Sequence, residues 1–488
     1  MLSFKVFNEQ KQKGFTHIPL VYELLVDLDT PLSIYMKLAN QPFSYLLESA
    51  VNGEHFGRYS FIGLPCNSYL VVRDEKIEVY ENHKIVEVHQ GNPLEWIDQY
   101  FKRFKAPPIE GIKCFQGGLV GYFGYEINRY LEAKLAQKIP STGPDVPDIF
   151  LLLSKELAVV DNFSGKLYLI VYASVEDPDA YFKACARLEE LRLQLRQSIA
   201  LPLSLGSPTA SLQYEMSAED YKAGVEKIRE YIYAGDCMQV VLSRKMFIEY
   251  QDSAISLYRA LRTLNPSPFL IYYHFEDFII VGASPEVLVR KKGLITTVRP
   301  LAGTRQRGQT PEEDLRNEQE LLADEKERSE HIMLIDLGRN DVGKFSKTGS
   351  IKVTEKMGVE RYSHVMHLVS SVESECKEEI SLMQILSATF PAGTLSGTPK
   401  IRAMEIIQEL EPSKRGIYGG ALGYLSFSGD MELAIGIRTA VLKDQKAYIQ
   451  VGAGIVADSD PELELQETQN KGMALVKAIK MVEQGLDS

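Results

Sequence analysis

The sequence predicts an α+β fold in which antiparallel strands are mixed with helices. The chain has 488 residues, 45% of them hydrophobic, which is enough to bury more than one ordinary core. Period-two alternation, typical of half-buried strands, recurs at residues 269–286, 432–442 and 447–457. Apolar residues at helical spacing occupy residues 178–198 and 221–236.

The clearest break in the chain is a stretch of Pro, Gly, Ser and Thr at residues 198–213, which cannot hold a regular element. We therefore predict two associated domains, residues 1–205 and 212–488. Directly after the break, Ser217 is expected to cap a helix that Gly235 ends.

Two pairs of segments echo each other across this break. QGGLVGYFGY (116–125) resembles YGGALGYLSF (418–427), and the strand pair in 43–63 resembles that in 268–286. Duplicated sheet layers would explain the similarity, and so would a shared preference for hairpins.

Charge and composition exclude several classes of protein. The formal net charge of −12 argues against a nucleic-acid or anionic-membrane surface, since both require clustered Lys and Arg. The N-terminus lacks the apolar run of a signal peptide, and no stretch reaches the roughly 18 apolar residues of a membrane helix. Five scattered cysteines favour reduced thiols over disulfides or zinc. We expect a cytoplasmic protein that binds small molecules or other proteins.

The first of two acidic segments, residues 452–471, joins a Gly-rich strand to an acidic helix. Pro461 suits the first turn of that helix. Glu464, Glu467 and Lys471 then lie on one face, which carries two carboxylates and an ammonium group.

The second acidic segment, residues 316–341, reads as one long helix in which Glu327 and Glu330 repeat the spacing of the first. Two such helices can present facing pairs of carboxylates. Oxygen donors without cysteine suit Mg²⁺ better than zinc. Pairs of this kind also arise by chance on solvated helix faces in a chain with 66 acidic residues, so both interpretations stay open at this point.

Glycines in the neighbouring predicted strands can leave the backbone accessible to a ligand. Arg438 is expected on the same strand face as Gly436, which suits binding of a carboxylate. Gly452 and Gly454 clear the following strand in the same way, although strand glycines can also mark only a bulge. The Gly/Ser/Thr turn that opens residues 391–407 can bind an anion or simply cap the helix that follows.

Six motifs, in this order and spacing, resemble the chorismate-utilising enzymes and, among them, component I of the anthranilate synthases: RPLAGTRQRG, DLGRNDVG, HLVSSV, FPAGTLSGTPKIRAMEII, YGGALGY and GAGIVADSDPELELQET. Residues 46–63 resemble the regulatory segment of the same enzymes, so the resemblance covers nearly the whole chain. It implies the chorismate-utilising fold, with large antiparallel sheets sandwiched with helices. It also implies conversion of chorismate and ammonia to anthranilate and pyruvate with Mg²⁺. The ammonia would come from a separate glutamine amidotransferase subunit, component II.

Carried over residue by residue, the resemblance implies a metal site and a substrate site. The Mg²⁺ ligands are Glu330 and Glu467, supported directly or through water by Glu327 and Glu464. The residues that bind the two carboxylates of chorismate or line its pocket are Thr394, Tyr418, Arg438, Gly452, Ala453, Gly454 and Lys471.

The same resemblance implies the residues of the chemical step. Glu286 matches the general acid that protonates the departing C4 hydroxyl, and its pKa should be raised by burial and by neighbouring carboxylates. His367 matches the histidine associated with loss of pyruvate, although a lone histidine is more often a core residue. Gln239 stands where water-using relatives carry a lysine. Ala302 stands where aminodeoxychorismate synthases carry a nucleophilic lysine.

A regulatory site for tryptophan, as an inhibitor, is implied by two segments from the two halves of the chain. One is LLES, at residues 46–49, and the other is NPSPF, at residues 265–269. A carboxylate or hydroxyl can accept from an amino acid's ammonium group, and apolar residues can hold its indole. The residues of this site are Leu47, Glu48, Ser49, Pro266, Ser267 and Pro268.

Two alternatives stay open. An aminodeoxychorismate synthase component I that lacks the lysine would share all of these motifs apart from that residue. A non-catalytic homologue that senses chorismate or tryptophan would be expected to lose an acid or a metal ligand, and every such position is filled here.

Overall fold

The computed structural model describes residues 2–50, 57–136, 143–200, 211–361 and 365–486. Its helices are α1 (Phe4–Gln12), α2 (Pro31–Leu38), α3 (Pro93–Phe101), α4 (Asn128–Leu131), α5 (Ala180–Gln194), α6 (Ala218–Tyr233), α7 (Ala254–Leu264), α8 (Pro311–Ala323), α9 (Glu325–Gly343), α10 (Leu382–Thr389), α11 (Lys400–Leu410) and α12 (Pro461–Gln484).

Strands alternate with these helices along the chain. They are β1 (His17–Leu25), β2 (Ser44–Glu48), β3 (Tyr59–Gly63), β4 (Ser68–Arg73), β5 (Lys76–Glu81), β6 (Lys84–Gln90), β7 (Gly118–Phe123), β8 (Ile149–Ser154), β9 (Glu156–Asp161), β10 (Lys166–Ser174), β11 (Gln213–Tyr214), β12 (Gln239–Glu249), β13 (Phe269–His274), β14 (Ile279–Ser284), β15 (Val287–Lys292), β16 (Ile295–Val298), β17 (Leu301–Gln306), β18 (Lys352–Arg361), β19 (Val365–Glu375), β20 (Gly397–Thr398), β21 (Ala421–Ser426), β22 (Met431–Ile435), β23 (Thr439–Lys443) and β24 (Lys446–Ile455).

The strands form two antiparallel sheets of 12 strands each. Sheet I has the order β1-β10-β9-β3-β2-β13-β14-β23-β24-β12-β11, with β20 beside β12. Sheet II has the order β17-β19-β16-β15-β22-β21-β7-β8-β4-β5-β6, with β18 beside β19. Aromatic and aliphatic side chains of both sheets share one core. Helices cover the outer faces, α2, α5, α7 and α12 on sheet I and α3, α9 and α10 on sheet II. The predicted α+β sandwich is confirmed.

Both sheets combine strands from the two sides of the predicted boundary. In sheet I, β2 pairs with β13, and in sheet II, β7 pairs with β21. The segments that echo each other in sequence therefore lie side by side, with Gly121 opposite Gly423. Residues 201–210, in the middle of the predicted linker, lie outside the described residues, and the division into two domains stays a prediction.

One predicted strand is two strands in different sheets. Residues 432–442 run from β22 in sheet II to β23 in sheet I. Arg438 lies at this crossover with a φ of 50°, so the alternation expected through Gly436 and Arg438 does not hold. A left-handed φ is uncommon outside glycine and turns the chain out of the strand path.

The single long helix predicted for residues 316–341 is also two. Asp324 ends α8 and its carboxylate caps α9, accepting from the backbone N–H groups of Lys326 at 3.0 Å and Glu327 at 3.2 Å. The predicted cap of α6 is confirmed, with Ser217 Oγ 3.0 Å from the N–H of Asp220. Among the helices of the described residues, none has both the length and the apolar content needed to cross a bilayer.

Candidate active site

The candidate active site lies where β12 and β24 of sheet I approach the helices α9 and α12. Gln239, the first residue of β12, is buried and donates from Nε2 to Glu330 Oε1 of α9 at 3.2 Å. Lys471 of α12 donates from Nζ to the carbonyl of Gly452 in β24 at 3.1 Å. One contact thus ties each helix to one of the two strands.

Glu286 lies in the short link between β14 and β15 and exposes 7% of its surface. Burial raises the pKa of Glu286 to about 8, against the opposing charges of Arg438 and Lys471. Its Oε1 accepts a hydrogen bond from Thr394 Oγ1 at 3.1 Å. The predicted rise in pKa therefore comes from burial, whereas the neighbouring carboxylates that we expected to raise it are replaced by cations.

His367 of β19 lies in the same site. Burial, followed by the charge of Arg438, lowers the pKa of His367 to about 4, so its ring is neutral at pH 7. Its Nδ1 is 3.0 Å from the carbonyl oxygen of Gly303 and 3.1 Å from Thr304 Oγ1. A carbonyl can only accept, so Nδ1 carries the proton and Nε2 keeps a lone pair that can act as a base.

Two cations influence both Glu286 and His367. The charges of Arg438 and Lys471 each lower the pKa of both Glu286 and His367. Glu286 and His367 therefore respond to the same two cations. The site therefore combines a protonated acid, a neutral base and two cations that can face the carboxylates of a dianion.

The predicted glycines allow close approach by side chains. A Cβ at Gly452 would lie 2.7 Å from the hydroxyl of Tyr418, and a Cβ at Gly454 would lie 2.6 Å from Gln239 Nε2. Ala453, between them, directs its methyl group into the core on the outer side of sheet I. Only the backbone of Ala453 can therefore contact a ligand on the inner side.

The four carboxylates predicted to bind metal lie on two helices, Glu327 and Glu330 on α9 and Glu464 and Glu467 on α12. Burial and a neighbouring glutamate raise the pKa of Glu327 and of Glu464. Lys471 Nζ lies 2.6 Å from Glu467 Oε1, which satisfies that carboxylate within its own helix.

Within the described ranges, no three His, Cys, Asp or Glu side chains are grouped closely enough to hold a metal ion. The donors nevertheless fit Mg²⁺ in their chemistry, because all of them are carboxylate oxygens.

A cavity of about 350 Å³ lies between the two sheets and reaches the predicted substrate residues only at Tyr418. The other residues of its wall include Lys245, Ile417, Tyr448 and Gln450. Glu286, His367, Arg438 and Lys471 are not among the residues that line this cavity.

The two segments predicted to bind tryptophan are adjacent in the structure. Strands β2 and β13 pair, and the N–H of Ala50 donates to the carbonyl of Ser267 at 3.1 Å. Ser49 Oγ is buried and has no hydrogen-bond partner among the described residues. Glu48 points to the opposite side of sheet I, where Tyr258 donates to it and Arg262 lies 3.4 Å away.

Ser49 and Leu47 therefore lie on the same face of sheet I, whereas the side chain of Glu48 points to the helix layer on the other face. Pro266 and Pro268 flank Ser267 in the segment just before β13, whose backbone is hydrogen-bonded to Ala50.

Sequence reasoning missed a buried ion pair next to the predicted substrate residues Thr394 and Tyr418. The pair consists of Glu411 and Arg415, whose carboxylate and guanidinium groups are in contact. The two residues are four apart, which is a helical spacing, but Pro412 separates them and α11 ends at Leu410. The opposite charges of the two residues and their short separation in sequence were the only features that could have predicted the pair.

Comparison with known proteins agrees with this geometry. Residues 44–477 match the sequence profile described as chorismate binding enzyme. The chain belongs to the chorismate-binding enzyme family. It is 60% identical over 490 residues to anthranilate synthase component 1 of Neisseria meningitidis serogroup C, covering 100% of both chains.

Further relatives place this chorismate-binding enzyme in the same group. It is 50% identical over 481 residues to anthranilate synthase component 1 of Pseudomonas aeruginosa, covering 97% of this chain and 98% of that one. The crystal structure of anthranilate synthase component I from Streptococcus pneumoniae TIGR4 superposes with a TM-score of 0.76 at 36% identity, covering 93% of this chain and 99% of that chain. The resemblance read from the motifs is confirmed.

Proposed function

We propose that this enzyme converts chorismate and ammonia to anthranilate, pyruvate and water, with Mg²⁺ as its cofactor, in the biosynthesis of tryptophan. The observation that carries the proposal is the buried carboxyl of Glu286, whose pKa is raised to about 8 by burial and which accepts a hydrogen bond from Thr394. Membership of a group whose relatives are named anthranilate synthase component 1 supports the same conclusion.

Glu286 would act as the general acid. Ammonia attacks C2 of chorismate, the double-bond electrons shift, and the C4 hydroxyl leaves as water after taking a proton from Glu286. An alcohol is a poor leaving group unless it is protonated, and a pKa of about 8 keeps the proton available at pH 7. The hydrogen bond from Thr394 orients the carboxyl.

His367 would act in the second half of the reaction. Loss of the enolpyruvyl group as pyruvate and removal of the C2 proton make the ring aromatic. The lone pair on Nε2 can accept this proton, because the carbonyl of Gly303 holds the ring with its proton on Nδ1.

The neutral side chain of Gln239 favours ammonia over water as the nucleophile. An amide cannot remove a proton from water, whereas ammonia attacks in its neutral form without a base. Ala302, in β17, offers no amine for covalent attack. Both observations favour the ortho product over isochorismate and over the para isomer.

Mg²⁺ would be held by Glu330 and Glu467, with Glu327 and Glu464 in support. When bound, it would neutralise one carboxylate of chorismate and act as a Lewis acid beside the ring. Lys471, whose ammonium group lies beside Glu467, would line the same pocket. Arg438 and Tyr418 would bind the other carboxylate.

The word component in the names of the relatives implies a second component, which for this enzyme would be a glutamine amidotransferase that supplies ammonia. Tryptophan would inhibit by binding where residues 46–49 and 265–269 meet. The buried, unpartnered hydroxyl of Ser49 supports this location, because a ligand group can satisfy it.

One incubation tests the proposal. The purified chain, supplied with chorismate, Mg²⁺ and an ammonium salt, should produce anthranilate, measured by its fluorescence and identified by chromatography. The para isomer as product would identify an aminodeoxychorismate synthase instead. Binding of chorismate without any product would identify a sensor.

A further inference from the structure

The buried ion pair of Arg415 and Glu411 has no part in the mechanism just described. The two side chains expose only 1% and 4% of their surfaces. Arg415 Nε donates to Glu411 Oε2 at 2.7 Å, and Nη2 donates to Oε1 at 2.5 Å. This bidentate contact fixes the plane of the guanidinium group.

The other donors of Arg415 reach two segments that carry substrate residues. Nη1 donates to the carbonyl of Leu395 at 2.6 Å, and Nη2 donates to the carbonyl of Val241 at 2.8 Å. Leu395 directly follows Thr394, and Val241 lies two residues after Gln239 in β12. One guanidinium therefore joins the Thr394 turn to the strand of Gln239.

Arg415 also packs against the ring of a third substrate residue. Its Cζ lies 5.5 Å from the ring centre of Tyr418 and 4.5 Å from that of Tyr125. Tyr418 reaches Gly452 through its hydroxyl. The guanidinium is held between the two rings, where cation–π attraction adds to the hydrogen bonds.

Glu411 and the backbone at Arg415 are held in turn. Glu411 Oε1 accepts from the N–H of Ser243 at 2.8 Å and from its Oγ at 2.7 Å. The carboxylate of Glu126 accepts from the backbone N–H groups of Arg415 at 2.7 Å and Gly416 at 3.0 Å. Both charges therefore have partners on several sides.

A buried ion pair often gives no more stability than apolar residues of similar size, because removing two charges from water costs free energy. A pair with this many directed contacts is better suited to fixing geometry. We propose that Arg415, held by Glu411, is a positioning residue that sets the placement of Thr394, Gln239 and Tyr418 around chorismate without touching the substrate. This inference rests on the proposed function.

The first test compares Arg415→Lys with the matched control Arg129→Lys. Arg129 pairs with the buried Asp148, exposes 12% of its own side chain and contacts none of the substrate residues. A lysine keeps the charge of Arg415 but cannot form the bidentate contact and reach both carbonyls. We expect the KM for chorismate to rise about tenfold to a hundredfold in Arg415→Lys, with a smaller fall in kcat. Arg129→Lys should keep the parental KM at a similar change in melting temperature.

The second test covers the case in which Arg415→Lys does not fold. The double variant Arg415→Met/Glu411→Leu removes both charges together and leaves neither buried alone. A folded double variant with a raised KM supports the proposal, and a folded one with the parental KM overturns it.

The parent enzyme separates failure of this inference from failure of the proposed function. A parent that makes no anthranilate from chorismate, ammonium and Mg²⁺ overturns both. An active parent with an Arg415→Lys variant that matches the Arg129→Lys control in KM overturns the positioning role alone.

Discussion

Glu286 and Glu467 are two carboxylates of the candidate active site in opposite surroundings, one beside the strands (the sheet wall) and one on the helices α9 and α12 (the helix wall). Glu286 lies on the sheet wall, exposes 7% of its surface and has a pKa of about 8. Glu467 lies on the helix wall, with 47% of its side chain exposed and Lys471 at 2.6 Å. Burial outweighs the hydrogen bond from Thr394 and the charges of Arg438 and Lys471, and it favours the protonated form, which can donate a proton. The carboxylate of Glu467 is exposed and therefore accessible to a metal ion.

The largest effect is expected on the helix wall. Glu467→Gln or Glu330→Gln should abolish anthranilate formation, because each removes a charged ligand of Mg²⁺ and leaves a substrate carboxylate without its counter-ion. Glu462→Gln, an exposed change on the same helix, should keep parental activity. Turnover near the parental rate in either of the first two variants, at millimolar or lower Mg²⁺, would remove the metal assignment.

A smaller loss is expected on the sheet wall. Glu286→Gln removes the proton donor but keeps the size of the side chain and its contact with Thr394. We expect kcat to fall by about 10²–10⁴-fold while chorismate binding is retained. Steady-state kinetics with a binding titration would separate the two quantities. An equal loss of binding and turnover would contradict a role as acid.

The raised pKa of Glu286 also predicts how stability depends on pH. A carboxyl whose pKa rises from 4.5 to about 8 on folding contributes stability that is fully present below about pH 4.5. That contribution is lost as the pH rises through about 8, because the unfolded chain releases the proton more easily. The free energy of unfolding in urea, measured at pH 5 and pH 8.5, should fall less in Glu286→Gln than in the parent.

The same ionisation should appear in catalysis, with a decrease in kcat above about pH 8 as the acid loses its proton. Glu286→Gln should lack this decrease in its residual activity. A parental pH profile that stays level through pH 9 would show that a different group donates the proton.

The smallest effect on turnover is expected from a substitution in the predicted tryptophan site, at Ser49. Ser49→Phe places a bulky ring at the buried hydroxyl directly after β2 and should relieve inhibition by tryptophan while leaving uninhibited turnover largely intact. Titrations of both proteins with tryptophan measure this. Ser60→Phe, at a buried position in the neighbouring strand β3, tests whether any bulky residue in this sheet has the same effect. Equal sensitivity of Ser49→Phe and the parent would place the effector elsewhere.

Local patterns predicted the elements best where a single segment holds all the information. The cap at Ser217, the first turn at Pro461 and the strand through Gly452 and Gly454 follow from residue types a few positions apart. The two wrong predictions, one strand through Arg438 and one helix through Asp324, concern places where the chain changes direction. A crossover between sheets is decided by partners distant in sequence, which local periodicity does not contain.

By itself, the sequence determined the family, the α+β class and the residue types of the site, because these depend on motifs and on short-range spacing. Only the tertiary structure decided that strands of both halves share each sheet, that two cations and not carboxylates act on the pKa of Glu286, and that Glu48 points away from Ser49. It also brought Arg415 against Glu411, Leu395 and Val241. The physical reason is that burial, pKa and side-chain contact depend on which surfaces meet in the folded chain, and residues that are far apart in sequence supply those surfaces.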